Sequence, residues 1–173
     1  MSAPAPHSPA PPPDAVTLKL ATAAATDALA ARLAPRLRAG DVLLLEGPIG
    51  AGKTHFARAL IGALQRAAGQ RTEEVPSPSF TLVQTYAAGD LEIWHADLYR
   101  LSDPSELTEL GLDAAFGTAL VLVEWPDRLG LLPPPQALTL RFEDAPDGGD
   151  AARRLTLLPA GPRGEELAGH VAG

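Results

Sequence analysis

The sequence predicts an α/β domain, a mixed parallel and antiparallel sheet with helices packed on its faces. Three observations carry that prediction. Val42–Leu45 is an apolar run followed by a glycine-rich loop and an apolar stripe at helical spacing from Phe56 to Leu64, which reads strand, loop, helix. Leu120-Val121-Leu122-Val123 sets four apolar residues in succession, the mark of a strand covered on both faces. The segments at 80–86 and 91–96, and those at 137–142 and 153–158, are bounded by turn residues and read as antiparallel pairs.

Taken in order, residues 1–13 hold little but Pro, Ala and Ser, too little apolar surface to offset ordering entropy, and read as a disordered tail. The domain is expected over 14–160. Val16–Leu20 alternates like a half-buried strand. Thr22 or Thr26 caps a helix through Leu29, Leu33 and Leu37 that Gly40 ends, with Pro35 calling for a kink or an early stop. A polar loop over 69–78 leads to a strand at 80–86, a four-residue turn at 87–90 and a returning strand at 91–96. Ser102 or Asp103 caps a short helix through Leu107 and Leu110 that Gly111 stops, and Glu106, Glu109 and Asp113 read as solvated helix-face positions. The last strands pair around Asp147-Gly148-Gly149-Asp150, and 161–173 reads as a flexible tail.

Residues 47–54, Gly-Pro-Ile-Gly-Ala-Gly-Lys-Thr, complete the pattern G-x-x-x-x-G-K-[ST]. Between a strand and a helix, that pattern predicts a nucleoside triphosphate site in a P-loop NTPase-like three-layer domain. Gly47, Gly50 and Gly52 let backbone N–H groups approach phosphate oxygens, and the helix beginning near Lys53 adds the partial positive charge of its N-terminus. Lys53 is placed to reach the β/γ-phosphates and the Thr54 hydroxyl to ligate Mg²⁺. Phosphate-loop enzymes find a second metal-holding group at the end of a neighbouring apolar strand, and Glu124 follows Leu120–Val123 in that way.

Asp97 also ends an apolar strand. It fits a carboxylate that holds a metal-bound water or orients the attacking one, and equally a helix cap or ion-pair partner. His95 beside it reads as a structural histidine, Arg100 as a phosphate contact or a surface ion pair, and Trp125 as a base-packing or core residue. Ser77-Pro78-Ser79-Phe80-Thr81 is either a plain turn or a loop whose hydroxyls sense a γ-phosphate.

The bulk composition narrows the function classes. One domain's worth of chain, 173 residues, carries 14 Lys+Arg against 21 Asp+Glu, a net charge of −7. Such a chain is a poor stand-alone nucleic-acid binder, because basic residues supply most of that affinity. With no cysteine, disulfides, zinc–thiolate sites and thiol nucleophiles are excluded, in keeping with a reducing cytoplasm. No apolar run approaches the roughly 20 residues that span a bilayer, and no signal-peptide pattern opens the chain.

In order and spacing, GPIGAGKT, SPSFTLVQTY, HADLYRL, ELTELGLD and LVEWPDRL resemble the TsaE (YjeE) family from about Thr26 to Pro133. The phosphate loop is shared with many ATPases; HADLYRL and VEWP combined with SPSFTLV are specific. The resemblance implies a small bacterial Mg²⁺-dependent ATPase required for threonylcarbamoyl modification of the adenosine beside the anticodon in tRNAs reading ANN codons. It implies TsaD and TsaB as partners, with ATP hydrolysis resetting the complex and tRNA met only through it. On this chain it places phosphate binding on Gly50, Ala51, Gly52, Lys53, Thr54 and His55, Mg²⁺ on Thr54 and Glu124, and Asp97 at the nucleotide near the hydrolytic water. Lys53 and Asp97 are then the catalytic pair, with Ser79 and Thr81 in the switch-like loop. His55 stands where the family has a second threonine, Pro48-Ile49 where it has Asp-Leu, and Ser79 where it has Thr.

Two other function classes share the phosphate loop. A small-molecule or nucleoside kinase would need an arginine-bearing lid, and the only paired arginines, Arg153-Arg154, fall in an expected strand. A GTP-dependent switch would carry an [NT]-K-x-D segment, absent from a chain whose only lysines are Lys19 and Lys53.

Overall fold

A computed structural model describes residues 9–130 and 134–173. Seven strands form one sheet: β1 (Val16–Leu20), β2 (Val42–Glu46), β3 (Val83–Ala88), β4 (Leu91–Asp97), β5 (Leu120–Glu124), β6 (Leu138–Asp144) and β7 (Arg153–Pro159). Their order is β1-β7-β6-β2-β5-β4-β3. The central four, β6, β2, β5 and β4, run parallel, while β7, β1 and β3 add antiparallel pairs at the edges. The mixed three-layer α/β architecture expected from the sequence is the one observed.

Residues of alternate parity along each strand feed two cores. Leu43, Leu45, Ile93, Leu120, Leu122, Leu138, Leu140 and Leu155 lie on one face, under helices α1 (Ala23–Leu33) and α2 (Lys53–Ala67). Val42, Leu44, Ala96, Val121 and Val123 lie on the other, under α3 (Ser105–Glu109) and α4 (Leu112–Ala115). β5 is buried at every position, which is why its sequence is a continuous apolar run ending in a carboxylate.

The structure sharpens several boundaries. Thr22, not Thr26, caps α1, its hydroxyl accepting from Ala25 N at 3.2 Å. Pro35 acts as an early stop: α1 ends at Leu33 and a 3₁₀ turn spans Ala34–Arg36, since proline cannot donate to the ladder. The strand expected from 80 begins at Val83; Phe80, Thr81 and Leu82 are turn residues, with Leu82 at φ +66°. The β3–β4 hairpin is closed by two residues, Gly89-Asp90, because Ala88 pairs with Leu91.

The expected flexible C-terminal tail is corrected. Residues Gly161–Ala172 form helix α5, whose Leu167, Ala168 and Val171 enter the core shared with α1 and α2. Leu167 and Val171 are spaced i, i+4, and Pro162 sits in the first turn, where its missing N–H costs nothing. Of the expected N-terminal tail, residues 1–8 lie outside the described residues. Pro9 meets the sheet, its carbonyl accepting from Arg141 Nη1 at 2.7 Å. No helix among the described residues is long and apolar enough to cross a membrane.

Candidate nucleotide site

The site is built where the parallel strands end. β2 delivers the glycine loop, and α2 begins from its last glycine. Gly47 is required twice over: its φ is +143°, and a Cβ there would lie 2.5 Å from the Phe142 carbonyl oxygen. Gly52 caps α2 at φ +103°, a conformation open to glycine at no steric cost. Between them the loop borders a cleft of about 440 Å³. Ile49, Gly50, Gly52, Lys53, Thr54 and His55 line it from the loop and α2, and Ser77, Ser79, Asp97, Tyr99, Arg100, Glu124 and Trp125 from the ends of β4 and β5 and the segment 77–79.

β4 and β5 bring the acidic groups. Asp97 and Glu124 are paired neighbours at their strand ends, so both carboxylates lie at one corner of the sheet. Glu124 shares its face with Leu120 and Leu122, the face on which α2 packs, and so meets the first turn of that helix. Thr54 Oγ1 donates to Glu124 Oε1 at 2.8 Å. The other carboxylate oxygen, Oε2, is 2.7 Å from His95 Nε2, inside a pair that is 0% and 2% exposed.

Asp97 is engaged at both oxygens. Its Oδ1 accepts from the Tyr99 N–H at 3.0 Å, and its Oδ2 from the hydroxyls of Ser77 at 2.8 Å and Ser79 at 3.3 Å. The segment 77–79 is thus tied to β4, and the chain reverses at Leu82, whose carbonyl accepts from Asp97 N. That reversal leaves Thr81 exposed and outside the cleft lining, away from the place expected of it. Of the loop hydroxyls, those of Ser77 and Ser79 reach the site.

Lys53 is buried, its ammonium 2.5 Å from the Gly47 carbonyl and 3.4 Å from the centre of the Trp125 ring. Burial lowers its pKa to about 8, against the opposing pull of Glu124, Asp97 and Asp127. Trp125, held at φ +60°, supports the lysine from below and packs on Tyr99 with ring centres 4.9 Å apart. His55 lines the cleft, yet its ring is paired with Asp27 at 2.8 Å. Arg100 also lines the cleft and rests over the exposed Phe80 ring, 4.6 Å from its centre.

Three contributors lay beyond sequence reasoning. Arg153 of β7 donates to the carbonyls of Ala51 at 3.1 Å and Gly50 at 3.2 Å, bracing the outer side of the loop. The arginine pair that a kinase lid would need therefore lies in the sheet. Tyr99 enters through its ring. His95, read as structural, is bonded to the expected metal-holding carboxylate. Such contacts span up to 103 positions, and no local pattern encodes them.

The oxygen donors suit a hard divalent cation: one hydroxyl and one carboxylate converge, leaving room for phosphate and water oxygens, as Mg²⁺ prefers. Among the described residues there is no cluster of three or more His, Cys, Asp or Glu side chains that would form an all-protein cage.

The family model for threonylcarbamoyl adenosine biosynthesis protein TsaE matches residues 20–154. The tRNA threonylcarbamoyladenosine biosynthesis protein TsaE of Rickettsia conorii is 44% identical over 118 residues, 68% of this chain and 65% of the relative's length. The protein of that same name from Bacillus subtilis is 38% identical over 143 residues, 82% of this chain and 84% of that one. The crystal structure of Bacillus subtilis YdiB superposes with a TM-score of 0.73 at 31% identity, covering 92% of this chain and 95% of that one. With the glycine loop, the paired strand-end carboxylates and these matches in hand, the chain belongs to the TsaE family of threonylcarbamoyl adenosine biosynthesis proteins.

Proposed function

We propose that this protein is a Mg²⁺-dependent ATP hydrolase of the cytoplasm. It acts with TsaD and TsaB in forming the threonylcarbamoyl group on the adenosine next to the anticodon of tRNAs that read ANN codons. Its hydrolysis resets that complex between turnovers, and tRNA is met only through the partners. The observation that carries the enzymatic part is the convergence of Thr54 Oγ1 and Glu124 Oε1, 2.8 Å apart, at the start of the helix that follows the glycine loop. Family membership supports the tRNA-modifying part.

In this reading Gly50, Gly52 and His55 offer backbone amides to the phosphates, Lys53 neutralises their charge, and Ala51, whose N–H donates to the Pro48 carbonyl at 3.1 Å, holds the loop in shape. Thr54 and Glu124 would hold Mg²⁺, which when bound offsets charge on the β- and γ-phosphates. Asp97 Oδ2, the acceptor for Ser77 and Ser79, is the group that would orient a water for attack. Catalysis then rests on positioning and charge neutralisation. The cleft's second strong cation, Arg100, is stacked on Phe80. A partner that supplies or redirects a cation would complete the site, as activating proteins do for other phosphate-loop enzymes.

The direct test is phosphate release from Mg²⁺-ATP by the purified protein, alone and with TsaB and TsaD. Slow release that the partners stimulate is the expected result. No stimulation, with phosphate passing instead to a small metabolite, would replace the reading by a kinase.

A pH dependence follows from Lys53. Its pKa is depressed to about 8 in the folded chain, so its charge is lost as pH rises through that value. Triphosphate is held by the charged form, so ATP affinity is expected to fall from pH 7 to 9.5. Bound phosphate favours the ammonium and moves the midpoint of that fall upward. Folding stability should change in the opposite sense over the window from about 8 to 10.5, because the unfolded chain then binds the extra proton. Calorimetric titration across this range checks the first statement, and an affinity that does not fall would refute the role of the lysine charge.

A further inference from the structure

We infer that His95 is a positioning residue for the metal carboxylate: from β4 its Nε2–H holds Glu124 Oε2 inward, so that Oε1 faces Thr54 and the cation. The inference rests on the Mg²⁺–nucleotide reading above and adds to it a residue that neither the motif nor the spacing assigns.

His95 is 0% exposed and follows Ile93 on the core face of β4, in register with Leu122 of β5. Its neighbours on that face are Ile93 and Asp97 along β4, Leu122 on β5 and Gln84 on β3, and on the Ile93–Leu122 side packing alone would be served by an aliphatic side chain. A buried imidazole costs free energy unless it is hydrogen-bonded, and this one has a single partner. Its Nε2 lies 2.7 Å from Glu124 Oε2, whereas Nδ1 is buried with no partner among the described residues.

That asymmetry fixes the tautomer. A carboxylate oxygen can only accept, so the proton between the two sits on Nε2. Nδ1 is then left as an acceptor, because a second N–H at that position would be a buried donor with nowhere to go. With no other partner among the described residues, the ring has no second bond to trade for this one.

The two oxygens of Glu124 are therefore held differently. Oε1 takes the Thr54 hydroxyl, which stands at the cleft and is free to turn toward a cation. Oε2 takes a donor locked in the core. Rotation of the carboxylate about its last bond would break the His95 contact, so the orientation that presents Oε1 is the one retained. Donors behind a metal ligand raise affinity in this way, and losing one costs about 10- to 100-fold in metal binding.

The experiment uses the full chain loaded with a non-hydrolysable ATP analogue, titrated with Mg²⁺ by calorimetry. His95→Leu is expected to raise the half-saturating Mg²⁺ about tenfold or more. Affinity for the analogue without Mg²⁺ should stay near the wild-type value. His95→Gln should restore the Mg²⁺ response, since its terminal amide donates from nearly the same place. If wild type itself shows no Mg²⁺-dependent step, the Mg²⁺–nucleotide reading fails. If wild type responds and His95→Leu responds identically, or if His95→Gln restores nothing, His95 is merely a core residue and this inference is overturned. Should His95→Leu lose its cooperative thermal transition, His95→Asn against His95→Gln carries the same contrast: both are polar, and only the longer amide reaches Glu124.

Discussion

Glu124→Ala is expected to slow Mg²⁺-dependent phosphate release by about two to three orders of magnitude while sparing much of the ATP binding. Three consequences of the substitution point that way. The proposed cation would lose its carboxylate ligand, leaving the Thr54 hydroxyl to hold it. The Thr54 hydroxyl loses its acceptor and becomes free to rotate. His95 is left buried with neither ring nitrogen paired, a cost of about 1–3 kcal/mol. The last effect bears on stability, so Glu124→Gln is the better-behaved companion: it keeps the volume and an oxygen acceptor but removes the charge. Lys53 and the loop amides remain, which is why triphosphate binding should largely persist. Steady-state phosphate release with and without Mg²⁺, beside direct ATP titration, separates the two effects. A Glu124→Ala protein that hydrolysed ATP at the wild-type rate with Mg²⁺ would remove Glu124 from the metal site.

The parts of this fold that were legible in the sequence are those specified over short distances. The glycine loop needs positive φ at Gly47 and Gly52, and glycine is what the sequence supplies. β5 is covered on both faces, and four consecutive apolar residues declare it. The strand-end carboxylates Asp97 and Glu124 follow apolar runs, so their position could be read, though not their nearness to one another, which depends on β4 and β5 being neighbours. What the sequence hid was set by tertiary contact. Phe80-Thr81-Leu82 has strand composition, yet the ties from Ser77 and Ser79 to Asp97 pull it into a turn. That contact overrides propensity, and it is also why Thr81 fell outside the site.

The reading of His95 shows the same limit from another side. A lone histidine in an apolar strand carries no spacing signal, and a structural role was the sounder expectation from composition. Its significance comes from Glu124, 29 positions away on the adjacent strand. Arg153 differs only in distance: it reaches the loop from 102 positions beyond Ala51. This chain announces its glycine loop in sequence and conceals the side chains that hold it in shape.

Helix α5 gives the largest expected effect on stability. Its Arg163 grips Asp41 with two bonds, Nε to Oδ1 at 2.8 Å and Nη2 to Oδ2 at 2.7 Å, and also donates to the Arg36 carbonyl. Asp41 is 3% exposed and accepts as well from the Arg38 N–H, at the entrance to the strand that carries the glycine loop. Arg163→Ala would leave that carboxylate buried without its cation, and breaking a buried pair from one side costs about 3–5 kcal/mol. The second partner, Glu166, is exposed and adds little. Arg163→Lys keeps the charge but not the two-pronged geometry, so an intermediate loss is expected. Urea denaturation gives the free energies, and a fall in melting temperature of roughly 10 °C should accompany the Ala change. A loss below about 1 kcal/mol, the range of an exposed pair, would mean that α5 is held loosely and that residues 161–173 act as the flexible tail their composition suggested. A loss of the expected size would instead make the C-terminal helix a structural support of β2, and through it of the phosphate loop.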